Sequence, residues 1–226
     1  AADVLPNPRA PKIQSNFSLA QVLPENIMNN LNLTLSNLIG SRICHDLISP
    51  IGAINNGLEL IELKGDQVSS EMSLIEQSCA AAAARIQFFR IAYGTALDGQ
   101  IISNRETVRI INGAIQSERL IILWHPKDDL PRREIQLAFL LLQCFETALP
   151  LGGTIHVNRK ANTWRISSGA DRLEIDPALW RYLVTTSPRT EIAPAHVQFA
   201  LLPECVFETG RDLQVEQTEQ MLRVTV

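Results

Sequence analysis

No block of lysine and arginine appears anywhere in this chain of 226 residues, whose 20 Lys and Arg are outnumbered by 24 Asp and Glu for a formal net charge of −4. Non-specific nucleic-acid binding draws on a basic surplus that displaces counterions from phosphates, so no nucleic-acid partner is expected. The four cysteines, Cys44, Cys79, Cys144 and Cys205, stand far apart with no CxxC pair. Neither a zinc site nor a dithiol redox centre is expected, and free thiols are. The longest strongly apolar runs, such as Leu137 to Leu142, fall well short of the roughly 18 residues of a membrane span. No charged segment followed by an apolar run opens the sequence, so no signal peptide is expected, and no internal repeat is visible. What remains is a cytoplasmic protein of one large or two small domains, each able to bury a core.

Three regions follow one another. Residues 1–28 carry Pro6, Pro8, Pro11 and Pro24 among polar residues, and each proline disfavours helix in the residue before it. A mobile arm is expected there, with a short docked turn near Phe17 to Leu23. Residues 29–98 are helical in pattern, broken at Lys64, Gly65 and Asp66. Gly65 suits a helix C-terminus and Asp66 the next N-cap, which predicts a helical hairpin. Ile39, Ile43, Leu47, Ile51, Ile54, Leu58 and Ile61 form one apolar stripe on the first arm; Met72, Ile75, Cys79, Ala83, Ile86 and Tyr93 form the stripe expected on the second. The run Ala80 to Ala84 would let the helices approach closely. Two helices cannot enclose a core alone, so a homodimer closing a four-helix bundle is expected.

Residues 99–226 alternate between periods. Short strands are predicted at Ile101 to Ser103 and Leu120 to Trp124, helices at Arg105 to Ser117 and Arg132 to Ala148, and a hairpin at Thr154 to Asn158 and Thr163 to Ser167. Helical stretches near Pro177 to Val184 and Pro194 to Glu208 precede a terminal hairpin, Leu213 to Val215 with Leu222 to Val226. The fold class is α plus α/β: a hairpin followed by a sandwich with helices on one side of a mixed, largely antiparallel sheet. Trp124, Trp164 and Trp180 read as core or platform residues. His125, His156 and His196 lack ligand-like spacing.

The informative stretch is Ser41-Arg42-Ile43-Cys44-His45-Asp46-Leu47-Ile48-Ser49-Pro50. At about 100° per residue, His45 falls nearly opposite the centre of the apolar stripe and should be accessible. Ser41, Arg42, Ser49, Gly52 and Asn56 share its face, small or polar apart from Arg42, which leaves room for another protein. A neutral imidazole, with an ordinary pKa of about 6.5, is nucleophilic near neutral pH. It can accept a phosphoryl group on one nitrogen while a carboxylate orients the other. Asp46 is the candidate for that carboxylate or for a proton acceptor, and Arg42 for neutralising an incoming phosphoryl group. A lone surface histidine beside an aspartate is ordinarily solvated surface. Pro50 argues for more, because proline in a helix interior costs about 3 kcal/mol and persists where the site has a use for it.

Arg42-x-x-His45-Asp46-x-x-x-Pro50 resembles the phospho-acceptor box of dimerising histidine-kinase helices. The longer string running from Ser41 through Gly52 to Asn55-Asn56-Gly57 resembles more specifically the ChpT-type histidine phosphotransferases of alphaproteobacteria, over roughly residues 29–226 and not over the arm. The resemblance implies a degenerate histidine-kinase-type (Bergerat-like) second domain. Anchored on the turn Leu149 to Ile155, the Asn-x-x-x-Asn positions for magnesium and phosphate hold Leu140 and Cys144, which cannot ligate a hard cation. The adenine loop is replaced by Ile166 to Asp171, with a single glycine, and the phosphate-cradling turn by Ala193-Pro194-Ala195-His196-Val197, with none. No ATP binding and no bound cofactor are therefore expected.

The resemblance further implies a phosphorelay intermediate. It would take phosphate from a receiver-domain aspartate of a hybrid histidine kinase onto His45 and pass it to response-regulator receivers, with Mg²⁺ held by the receiver. Arg159, Lys160, Arg165 and Arg172 are candidate contacts for an acidic receiver surface. The alternatives are an ATP-incompetent phosphatase and a non-catalytic dimeric docking scaffold.

Overall fold

The computed structural model describes residues 25–64, 69–115, 117–169, 172–184, 192–218 and 220–226. The expected arm turn at Phe17 to Leu23 and the caps Gly65 and Asp66 lie outside the described residues. Helix α1 (Glu25–Lys64) and helix α2 (Ser69–Ala92) make the hairpin. The first helix thus begins four residues inside the segment assigned to the arm, immediately after Pro24. Proline cannot donate into a helix, but it does not prevent one from starting after it.

The chain continues through strand β1 (Ile101–Ile102), helix α3 (Asn104–Ala114), strands β2 (Leu120–Trp124) and β3 (Leu130–Pro131), helix α4 (Arg132–Ala148) and the hairpin β4 (Gly153–Lys160) with β5 (Thr163–Gly169). Helix α5 (Pro177–Arg181), a 3-10 turn (Pro194–His196), helix α6 (Val197–Glu208) and the hairpin β6 (Gln214–Gln217) with β7 (Met221–Thr225) complete it. Ser103 caps α3, its hydroxyl accepting from the Glu106 N–H at 3.2 Å. Asp176 does the same for α5, accepting from the Ala178 N–H.

The five-stranded sheet has the order β2-β4-β5-β7-β6. Only β2 and β4 run parallel, with Ile122 opposite Ile155; β4–β5, β5–β7 and β6–β7 are antiparallel, as the alternating pattern predicts. The small β1–β3 ladder, Ile101 opposite Pro131, was not anticipated in full, because two residues are too few to display a period. On one face of the sheet Ile155, Val157, Trp164, Ile166, Leu222 and Val224 alternate inward against α4, whose Leu137 to Leu142 and Cys144 are fully buried. The Trp164 indole is sealed inside, donating Nε1–H to Glu134 at 2.8 Å.

The stripe expected on α2 is not the face that the chain buries. Met72 is 44% and Ile86 53% exposed, and Cys79 is exposed too, whereas Ala84, Phe88, Phe89, Ile91 and Ala92 are buried. The reason is tertiary. The second half of α2 packs on the sandwich, Phe88 stacking on Phe139 of α4 with ring centroids 4.4 Å apart. The small residue Ala84 lies against α3: a Cβ on Gly113 would come within 2.6 Å of the Ala84 Cβ. Ile51 and Leu58 of the α1 stripe are likewise exposed. A single core thus joins the end of the hairpin to the sandwich.

Candidate functional site

His45 stands on α1 with its side chain 83% exposed. Its Nδ1 lies 3.0 Å from Asp46 Oδ1. A carboxylate only accepts, so the contact needs a proton on Nδ1; in the neutral ring this leaves the Nε2 lone pair directed away from the carboxylate. Of the two roles considered for Asp46, this contact fits the first, a carboxylate set against one nitrogen of the ring. Asp46 is itself held, since its Oδ2 accepts from Arg42 Nε at 2.8 Å across one helical turn.

Arg42 does not reach into solvent. Besides pairing with Asp46, it donates Nη1–H to the Ala195 carbonyl at 2.7 Å. The segment Ala193 to Val197, read in sequence as a failed phosphate cradle, is here the cap and body of the 3-10 turn and the first residue of α6, and its Ala195 carbonyl is tied to the middle of α1 by Arg42. A second arginine, Arg85 of α2, donates Nη1–H to the backbone carbonyl of Asp46 at 2.7 Å.

Beneath this group lies Glu146 of α4. Burial raises the pKa of its carboxyl; the charge of Asp46 adds to the rise, while Arg42 and Arg85 oppose it without overcoming it. Tyr93 is part of the same neighbourhood. Its hydroxyl donates to Gln143 Oε1 at 3.0 Å, and burial pushes its pKa up to about 12. Arg85 and Glu146 were not singled out in the sequence. The signal for Arg85 was present in Pro50, which lacks the N–H that would normally serve the carbonyl of residue 46. No local pattern marks Glu146, because only the fold brings α4 under α1.

The remaining predicted contact residues divide. Ser41 and Ser49 are exposed one turn either side of His45, Asn56 is exposed about 16 Å further along α1, and Gly52 is half-buried with nothing within 4 Å of where a Cβ would stand. Arg159, by contrast, is drawn inward: its Nε lies 3.3 Å from Glu134 Oε2, and its guanidinium sits 5.6 Å from the Trp164 ring centre. Lys160 and Arg165 are exposed next to it, and Arg172 pairs with Glu174 at 2.9 Å. Glu134 and Glu146 are separated along α4 by about 18 Å. The structure therefore gathers Arg159 at the opposite end of α4 from the Arg42–Asp46–Arg85 group.

Leu140 and Cys144 lie in the core, where burial raises the Cys144 thiol well above its ordinary pKa. Ser168, from the stretch that would receive adenine, is buried with its hydroxyl donating to the Thr154 carbonyl at 2.9 Å. Among the described residues no group of three or more His, Cys, Asp or Glu is placed to hold a metal ion, and no helix is long and apolar enough to cross a membrane.

The chain thus joins a helical hairpin that presents a solvent-facing histidine to a mixed α/β sandwich. The chain belongs to the histidine phosphotransferase family: the profile described as the histidine phosphotransferase C-terminal domain matches residues 104–221. It is similar to the protein phosphotransferase ChpT of Brucella abortus (strain 2308), with 39% identity over 127 residues that make up 55% of this chain and 60% of that protein. The matched part is thus less than two thirds of that relative. A solved structure of a bacterial phosphotransferase is 30% identical, with a TM-score of 0.70, over 85% of this chain and 95% of that one.

Proposed function

We propose that this chain is a phosphorelay histidine phosphotransferase, in which His45 takes a phosphoryl group from the phosphorylated aspartate of one receiver domain and hands it to the aspartate of another. The observation that carries the reading is the exposed His45 ring with Nδ1 committed to Asp46. In the forward step the Nε2 lone pair attacks phosphorus, the acyl-phosphate O–P bond breaks, and the electron pair leaves with the receiver carboxylate. Nδ1 keeps its proton, and Asp46 offsets the positive charge that the phosphorylated ring acquires. The second transfer is the reverse on a different carboxylate. Mg²⁺ on the receiver would neutralise charge on the transferring group; this chain supplies position.

The sandwich acts in this reading as a wall that docks receivers and braces α1, not as an ATP site. Buried Leu140 and Cys144 support this, because neither offers an oxygen to a hard cation. The exposed apolar face of the hairpin, with Ile51, Leu58, Met72 and Ile86, supports a homodimer in which a second copy completes a four-helix bundle. Its partners would be receivers of a hybrid kinase and of response regulators, in the cytoplasm.

The test is incubation with a phosphorylated receiver, followed by mapping of acid-labile, base-stable phosphate. The expected result is label on His45 that passes to a second receiver, and no label in His45→Gln. Loss of the phosphate to water alone would point to a phosphatase; full signalling by His45→Gln would point to a scaffold.

A further inference from the structure

Helix α1 runs unbroken through Pro50, which is buried. In an α-helix the N–H of residue 50 donates to the carbonyl of residue 46, and proline has no N–H to give. The carbonyl left without its ladder partner belongs to Asp46, the residue whose carboxylate orients His45. That carbonyl is nevertheless satisfied, because Arg85 reaches across the hairpin from α2 and places Nη1 at 2.7 Å from it. The donor is charged, and the contact is partly buried, where charge-assisted bonds are strongest.

We propose that Arg85 is a positioning residue for phosphoryl transfer: it supplies the hydrogen bond that Pro50 removes, and so fixes the Asp46 backbone and, through it, the His45 ring. The acceptor turn is thereby anchored to the facing helix and not to its own. Arg85 touches neither the phosphoryl group nor the reacting nitrogen. Its effect passes through one carbonyl, and this makes Pro50 and Arg85 a coupled pair. The inference rests on the phosphotransfer reading for its kinetic arm only.

The test is a double-mutant cycle on the full chain with Arg85→Met, Pro50→Ala and the two combined, alongside Arg85→Lys. Two readouts are taken: the rate of phosphoryl uptake from a phosphorylated receiver, and the His45 tautomer from ring nitrogen chemical shifts, which needs no receiver. Arg85→Met in the natural background is expected to slow uptake about tenfold and to reduce the Nδ1–H tautomer. With Pro50→Ala the residue 50 N–H returns to the Asp46 carbonyl, so Arg85→Met should then change either readout less than about twofold. Arg85→Lys, which still offers a donor, should lose less than Arg85→Met. If Arg85→Met fails to fold by itself, recovery of the fold in the Pro50→Ala background is the same signature, and failure in both overturns the proposal. Equal losses in both backgrounds, or an unchanged rate and tautomer in Arg85→Met, also overturn it. If the natural chain accepts no phosphate at all, the phosphotransfer reading fails, and the tautomer measurement alone decides the role of Arg85.

Discussion

Arg42 binds the Ala195 carbonyl at 2.7 Å while its Nε holds Asp46 at 2.8 Å, so one guanidinium links the acceptor turn to the 3-10 turn that precedes α6. Arg42→Met removes both bonds and leaves a partly buried carboxylate short of a partner. The expected loss is about 1.5–3 kcal/mol in urea unfolding, the range for hydrogen bonds to charged groups. Phosphoryl uptake at His45 should fall as well, because Asp46 loses one of the two contacts that fix it.

The two glutamates of α4 have opposite electrostatic fates, and they should respond oppositely to pH. Burial raises the pKa of Glu134, but the hydrogen bonds from Arg211 and Trp164 and the charges of Arg211 and Arg159 outweigh it, so the net shift is downward. Arg211 Nη2 lies 2.6 Å from Oε1. A carboxyl depressed on folding contributes stability that is complete above the ordinary carboxylate range and is lost as pH falls through its folded pKa. Glu134→Leu leaves two guanidiniums without their anion and should cost about 3–5 kcal/mol at neutral pH. The deficit should shrink in melts run at progressively lower pH.

Glu146 shows the reverse sign. Its pKa is raised, chiefly by burial, so the folded state holds its proton more tightly than the unfolded one, and stability declines as pH rises through the carboxylate range. Glu146→Gln is expected to raise the melting temperature at neutral pH. The gain should vanish at pH values where the carboxyl is protonated in both states. A lower melting temperature for Glu146→Gln at neutral pH would contradict this.

Gly52 stands two turns from His45 along α1 and faces open space, so the side chain it lacks can be added without disturbing the monomer. Gly52→Ala should stabilise α1 by about 0.5–1 kcal/mol, the helix-interior cost of glycine. Gly52→Trp should keep a cooperative melt yet block the receiver from His45, seen as loss of phosphoryl uptake with unchanged thermal stability. Uptake at the natural rate by Gly52→Trp would place the docking surface elsewhere.

Gly113 is a contrasting glycine. Its missing Cβ would stand 2.6 Å from the Ala84 Cβ, an atom attached directly to the α2 backbone and unable to swing away. Gly113→Ala should therefore destabilise by about 1–2 kcal/mol despite alanine's better helix propensity. Combining it with Ala84→Gly should recover much of the loss, measurable by denaturant midpoints.

Much of the architecture is legible in the residue pattern. Strand β2 and helix α4 fall at the residues that pattern alone assigns, because a half-buried strand and a core helix of this length each display their period clearly. Strand β1 falls within the short strand expected at Ile101 to Ser103, while its partner β3, two residues long, carries no period to read. Helix α2 carries two apolar faces, and spacing cannot say which one the rest of the chain covers and which is left for the second copy proposed above. Phe88 and Ile91 went to the sandwich, and Met72 and Ile86 were left exposed. The same limit applies to the arginines. Arg42 and Arg159 looked available for a partner, yet both are turned inward, by Ala195 and Glu134 respectively.

By itself the sequence determined that His45 would stand clear of the core with an adjacent carboxylate, and that Leu140 and Cys144 would offer a hard cation nothing. Those are properties of helical periodicity and of residue chemistry, and they are local. Only the tertiary structure decided which groups complete the surroundings of that histidine. The Asp46 carbonyl freed by Pro50 finds its donor on α2, its carboxylate is steadied by an arginine that the 3-10 turn before α6 anchors, and Glu146 arrives from α4. A hydrogen bond forms wherever folding leaves a donor and an acceptor about 3 Å apart, and no spacing along the chain records that distance.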